Sequence, residues 1–207
     1  MNGIPLRRAV AVLFFLICSP LCSAQNSSPA PGLPDSSRQF GLIFNIQAAP
    51  HISSVNSDGG RGYAISLGFG VNFSPMFQMT IQVYTGKEEI PSGSVKPVDG
   101  LLPLGGGALE ATLFFTSRSA VRPFMSAGYG LYTLNGGSGY NGGGANVEAG
   151  IEWDFSRYFS IRGGAQFAFI RYHDPTGEGE QFSGFEPFTV RFAGAAIRCA
   201  FYPSVIP

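Results

Sequence analysis

Four carboxylates and one guanidinium stand at positions whose spacing would turn them to a common side: Glu110, Glu148, Glu152 and Asp154, with Arg162. Arg122 and Arg191 are further candidates for the same set. Carboxylates held close together suit general acid–base chemistry. Confined inside a narrow structure they would do something else. Buried charges must pair or change protonation, so the default there is a network of mutual ion pairs. His51-Ile52-Ser53 brings an imidazole near a hydroxyl, and His173 precedes Asp174. Nucleophilic catalysis needs serine, histidine and an orienting acid within hydrogen-bond reach. No acid partner is determined for His51 and Ser53, which fall in an expected loop, so no catalytic residue is assigned. Asp174, Glu178 and Glu180 lack the fixed ligand spacing of a calcium loop. Neither a metal site nor a cofactor is expected. Gly68-Phe69-Gly70 and Gly128-Tyr129-Gly130 are not nucleotide loops, since no helix N-terminus follows to receive a phosphate.

The elements that must position these side chains are strands. Tyr63, Ile65, Leu67, Phe69, Val71 and Phe73 alternate with Ala64, Ser66, Gly68, Gly70 and Asn72. After Ser74-Pro75-Met76 the alternation resumes, with Phe77, Met79, Ile81 and Val83 set against Gln78, Thr80, Gln82 and Tyr84. A strict period of two sends successive side chains to opposite faces. Each run is about 9 to 11 residues, the length of a tilted strand that crosses a bilayer. Leu67, Phe69, Val71, Ile81 and Val83 are therefore expected to face lipid, with Ile151 joining them from a later strand. On that later strand Val147, Ala149, Ile151, Trp153 and Phe155 take the outward parity, and Glu148, Glu152 and Asp154 the inward one. Arg162 and Gln166 then point inward from the strand that follows. A three-residue turn would set Glu152 opposite Arg162, Glu148 opposite Gln166 and Asp154 opposite Ser160.

Arg7 and Arg8, the apolar run from Ala9 to Ile17, Pro20, and the small residues Ser23 and Ala24 have the layout of a secretory signal peptide over 1–24. Its removal would take Cys18 and Cys22 and leave Cys199 alone, so no internal disulfide is expected. Lys plus Arg would fall from 13 to 11 against 13 acids, net −2. No basic patch argues for nucleic acid. Residues 25–38, rich in Ser and Pro, read as a disordered tail. Residues 39–202 read as one barrel domain, and 203–207 as a C-terminal tail.

Eight extended segments are expected, near 40–47, 62–73, 77–85, 107–116, 122–132, 144–155, 159–170 and 187–201. The connections alternate. Those at 48–61, 86–106, 133–143 and 171–186 are long, and those at 74–76, 117–121 and 156–158 are short. The result is an all-β, eight-stranded, antiparallel, up-and-down transmembrane β-barrel with long outer loops and short periplasmic turns. Phe73-Ser74-Pro75-Met76-Phe77 and Phe155-Ser156-Arg157-Tyr158-Phe159 echo each other. Phe73, Phe77, Trp153, Phe155, Tyr158 and Phe159 form an expected interfacial aromatic girdle. In strand 8, Phe188, Val190 and Phe192 set one parity while Ile197, Cys199 and Phe201 set the other. A bulge at 193–196 is the expected reconciliation.

Arg122-Pro123-Phe124 with Ala127-Gly128-Tyr129-Gly130-Leu131-Tyr132 resembles the fifth strand of the outer-membrane β-barrel domain family, the small OmpA/OmpX-like superfamily. Ala149-Gly150-Ile151-Glu152-Trp153 and Phe159-Ser160-Ile161-Arg162-Gly163-Gly164 resemble its next hairpin. The likeness runs over residues 40–202. It implies integral residence in the outer membrane, contact with membrane lipid, and passage through the insertion machinery during biogenesis. It departs in ending Pro203 to Pro207 beyond Phe201 and Tyr202, and no peptidoglycan-binding domain follows. The function expected is non-catalytic, structural or surface-recognition, carried by long outer loops and above all by 86–106 with Lys87, Glu88, Glu89, Lys96 and Asp99. The surface ligand is left open. One alternative is a lipid-modifying esterase using rim His and Ser residues, as small barrel lipases do. Another is a soluble barrel around an apolar ligand, which would need an apolar interior and a polar exterior.

Overall fold

A computed structural model describes residues 41–94, 100–117, 119–134, 139–156, 158–175 and 187–203. The expected signal peptide, N-terminal tail and final four residues lie outside that set. Eight strands follow in chain order: β1 (Gly41–Val55), β2 (Asp58–Ser74), β3 (Phe77–Ile90), β4 (Gly100–Phe114), β5 (Val121–Leu134), β6 (Tyr140–Ser156), β7 (Phe159–Pro175) and β8 (Phe188–Phe201). Each pairs antiparallel with its sequence neighbour, and β1 closes on β8. Closure removes every sheet edge, so each backbone donor and acceptor has a ladder to join.

All the strands but β8 are longer than expected, the eight running to 14 to 17 residues, and they absorb most of the expected outer loops. Residues 48–61 are not a loop. β1 and β2 stay paired up to Val55 and Asp58, joined by Asn56 and Ser57 alone. Both tip residues have positive φ, 47° and 81°, the geometry of the two-residue turn whose twist matches a hairpin. The sequence hid this extension because Ala49, Ser53, Gly60 and Gly62 blur the alternation, although they keep its parity. Likewise 86–90 belongs to β3, 100–106 to β4 and 140–144 to β6. At the opposite end the short turns share one device. Ser74 Oγ accepts from Met76 N (3.3 Å), and Ser156 Oγ accepts from Tyr158 N (3.2 Å) and Phe159 N (3.1 Å). A serine hydroxyl stands in there for a missing ladder partner. The register slips by one residue beside each, between Asn72 and Ser74 and between Asp154 and Ser156.

β8 carries no bulge. Its register with β7 is continuous from Arg162↔Arg198 to Tyr172↔Phe188. Phe188, Val190 and Phe192 are buried inside the barrel, whereas Ile197 and Phe201 are exposed outside. The chemistry of the two faces exchanges along the strand while the geometry does not.

Candidate functional site

The barrel interior is built in tiers. Nearest the short turns, Glu152 on β6 lies between Arg122 on β5 and Arg162 on β7, each directly opposite it in register. Its Oε1 accepts from Arg122 Nη2 and its Oε2 from Arg162 Nε. All three residues are fully buried. Arg162 Nη2 also donates to Gln78 Oε1 (2.6 Å) and to Tyr202 OH (3.0 Å). Arg122 Nη1 donates to the Pro75 carbonyl (3.0 Å), and its Nε lies 3.3 Å from Asp154 Oδ2. The guanidinium of Arg122 is 4.1 Å from the centroid of the Phe114 ring, and that of Arg162 is 5.0 Å from it. Two cations thus meet two carboxylates and an aromatic face, and the tier is neutral.

The next tier turns on Arg198, whose Nη2 donates to Gln47 Oε1 (2.5 Å), Glu110 Oε2 (3.0 Å) and Glu148 Oε2 (3.1 Å). Tyr84 OH donates to Glu110 Oε1 (2.7 Å), and Asn146 Nδ2 reaches both (3.1 and 3.2 Å). Inward glycines make room for these long side chains. A Cβ on Gly128 would lie 2.4 Å from Asn146 Oδ1, and one on Gly68 would lie 2.4 Å from the Asn45 amide.

The last tier is apolar. Val55, Ile90, Leu104, Tyr132, Leu134, Tyr140, Ile170, Tyr172, Phe188, Val190 and Phe192 pack into one buried cluster. One polar pair sits within it. His51 and Glu88 face each other across Gly62, which is opposite both in register, with Nε2 and Oε2 2.6 Å apart. A cavity of about 40 Å³ lies beneath, lined by Ala49, Tyr84, Leu104, Tyr132 and Phe192 among others. That is room for a few waters, not for an organic ligand.

Every member of the expected charge set has a definite place. Glu110, Glu148, Glu152 and Arg162 are buried inside, and Asp154 points in at the turn end. The three expected cross-strand pairs, Glu152↔Arg162, Glu148↔Gln166 and Asp154↔Ser160, stand in register. Arg191 does not join them: it is exposed on the outer wall beside Phe169. Arg198, missed in sequence, takes the central position. Its parity opposite Ile197 and Cys199 was the available signal. His51 and Ser53 lie on β1, not in a loop. Both His51 nitrogens face acceptors, Nδ1 toward Ala49 O (3.2 Å) and Nε2 toward Glu88. Neither is hydrogen-bonded to Ser53, whose hydroxyl has no partner among the described residues. His173 is exposed on β7. Of the expected recognition loop, Glu88 is buried and Glu89 pairs with Arg61 (3.3 Å). Lys96, Asp99, Glu178 and Glu180 lie outside the described residues.

The outer wall is the reverse of the lower lumen. Leu67 is 63% exposed, Ile81 55%, Val83 62% and Phe69 50%. Val71 and Ile151 share that face, half-buried between neighbours. Outward apolar residues run up β1 from Leu42 to Ile52. On a strand tilted near 40° that spans about 25 Å, the height of the apolar band of a membrane barrel. At the turn end Phe73 packs on Phe77 (centroids 5.7 Å apart) and Phe155 on Phe159 (6.0 Å). Trp153 is exposed and Tyr158 half-buried at the same end.

No protein-family model and no curated protein matches the chain. Solved structures do. The crystal structure of Neisserial surface protein A superposes with a TM-score of 0.53 at 16% identity, over 76% of this chain and 96% of that one. OprG of Pseudomonas aeruginosa gives 0.42 at 9% identity, over 82% and 98%. Ail, the attachment invasion locus protein of Yersinia pestis, gives 0.38 at 12%, over 77% and 99%. The architecture is that of the small eight-stranded outer-membrane barrels.

Proposed function

We propose that the chain is an integral outer-membrane β-barrel with a non-catalytic structural or surface-recognition role, exported by its N-terminal signal. The observation that carries this reading is the outer belt: contiguous exposed apolar side chains around a lumen filled with paired charge. In water such a molecule would be inside out; in lipid it is the right way round. The ion-paired tiers leave no open channel, which disfavours bulk diffusion through the lumen. The esterase alternative is disfavoured by geometry: Glu88 could orient His51, but the other ring nitrogen faces the Ala49 carbonyl rather than Ser53. The soluble carrier is disfavoured by the belt itself. Recognition is expected at the outer hairpin ends and at 91–99 and 176–187, not through a first loop.

Fractionation tests the reading. The protein is expected in the outer-membrane pellet, resistant to carbonate or urea washes and released by detergent, with a folded band that shifts on heating. Recovery in the soluble fraction without detergent would sink the proposal.

A further inference from the structure

We propose that Arg171 and Arg191 form a binding site on the outer wall for the phosphate of a lipid headgroup. The inference rests on the membrane reading above and adds a specific site to it. Both arginines are exposed on the outside of the barrel. In register Arg171 stands opposite Thr189, and Arg191 opposite Phe169. The two arginines are therefore diagonal neighbours on adjacent strands, with Cβ atoms within about 8 Å. One phosphate can bridge guanidiniums at that spacing, and arginine's planar fork suits it. Thr189, directly opposite Arg171 and two residues before Arg191, shares that face.

The outward charges among the described residues make the pair unusual. Among residues whose side chains are described, exposed or half-buried acids on the outside are few: Glu89, already tied to Arg61 at 3.3 Å, and Asp58 at the hairpin tip. The buried acids Glu88, Glu110, Glu148 and Glu152 serve the interior. Short polar contacts join those interior acids to His51, Arg122, Arg162 and Arg198, and no ion pair among the described side chains reaches Arg171 or Arg191. Instead the Arg191 guanidinium lies 6.0 Å from the centroid of the Phe169 ring. Height supplies the second argument. Phe167 and Phe169 are the last exposed apolar residues of β7, and Arg171 follows at the next outward position. Arg61 on β2 and Lys87 on β3 are further exposed outward cations among the described residues. The cations thus stand where acyl chain gives way to headgroup, and an anionic headgroup complements them in charge.

The test uses the full barrel refolded in micelles, with retained lipid counted by native mass spectrometry during titration with phosphatidylglycerol or phosphatidylcholine. Wild type is expected to prefer phosphatidylglycerol, and raised salt is expected to erode the preference. Each cation near an anionic headgroup contributes about fivefold. Arg171→Gln with Arg191→Gln should therefore lower the preference by about twenty-five-fold, and Arg191→Gln alone, which keeps a readout if the double variant refolds poorly, by about fivefold. Arg61→Gln with Lys87→Gln should lower it less than the first pair. Equal retention of the two lipids by wild type, or an unchanged preference in the variants, would overturn the site. Displacement of the lipid by millimolar inorganic phosphate would also overturn it, reassigning the arginines to a soluble anion. Insertion of wild type into phosphatidylcholine vesicles is scored separately, so failure of the membrane reading is distinguishable from failure of this site.

Discussion

The two ends of the barrel obey opposite rules. Toward the short turns, β3 points Gln78, Thr80 and Gln82 inward and Met79, Ile81 and Val83 outward. Further along the same strand, Ile90 points inward while Thr85 and Lys87 point outward. β8 exchanges its faces in the same way between Arg198 and Phe192, and β7 between Phe169 and Arg171. The backbone is continuous through these exchanges, so their cause is the surroundings. Where the proposed membrane surrounds the wall, apolar groups go out and polar groups are left to satisfy one another inside. Where the hairpins rise past it, water surrounds the wall and the ordinary hydrophobic order returns. The lower half is held by directional, charge-assisted contacts and the upper half by packing. On β3, β7 and β8 the position of the exchange is where the proposed membrane would end.

The largest expected effect breaks the lower half. Arg162→Ala removes a partner from Glu152, Gln78 and Tyr202 together and leaves two carboxylates, Glu152 and Asp154, against Arg122 alone. A loss of about 3 to 5 kcal/mol is expected, less where water enters. Glu152→Gln combined with Arg162→Met removes both charges and keeps volume, and should be milder than the single change. Urea titration of the barrel folded in vesicles gives both numbers, and a double-mutant cycle gives their coupling. No coupling between positions 152 and 162 would mean that the lower tier is not what holds that half.

A smaller effect locates the boundary. Val83 and Thr85 are successive outward positions on one strand, both exposed. An arginine at Phe69 should destabilise by about 2 to 4 kcal/mol, one at Val83 by less, and one at Thr85 by no more than about 1. Equal penalties at 69 and 85, measured in the same vesicles, would erase the distinction between the halves.

What could be read from the sequence follows the same division. Within the lower half one pattern rules, and the strand assignments, the inward carboxylates and the Glu152↔Arg162 register were all legible from parity. The upper half was misread for two reasons. Residues 48–61 looked like a loop because small residues blur an alternation whose parity persists, and Phe188 to Phe192 looked out of phase with Ile197 because the pattern on β8 inverts. A period-two reading with one fixed hydrophobic face cannot distinguish a change of phase from a change of solvent. Glu88 and His51 were illegible for another reason. Their meeting depends on Gly62 standing between them, a fact of register across three strands that no local spacing reveals.

The smallest expected effect tests whether the upper half is rigid hairpin or loop. Ser57 holds φ at 81° with a Cβ, a conformation that disfavours L-residues by about 1 kcal/mol and that glycine adopts freely. Asn56, at φ 47°, is a residue that tolerates the left-handed region. Ser57→Gly therefore turns the tip into Asn-Gly, the preferred pair for this turn. A net gain of up to about 1 kcal/mol is expected in the local stability of the hairpin end, partly offset by the freedom glycine gives the unfolded chain. The measurement is amide exchange at Val55, Asp58 and their neighbours, since these hydrogen bonds open without unfolding the rest of the barrel. Slower exchange in the variant is the outcome that a two-residue turn requires. Were residues 48–61 a mobile loop, position 57 would carry no fixed φ, and glycine would leave exchange unchanged or speed it. That result would return the outer half of β1 and β2 to loop and remove the packed tier that depends on them.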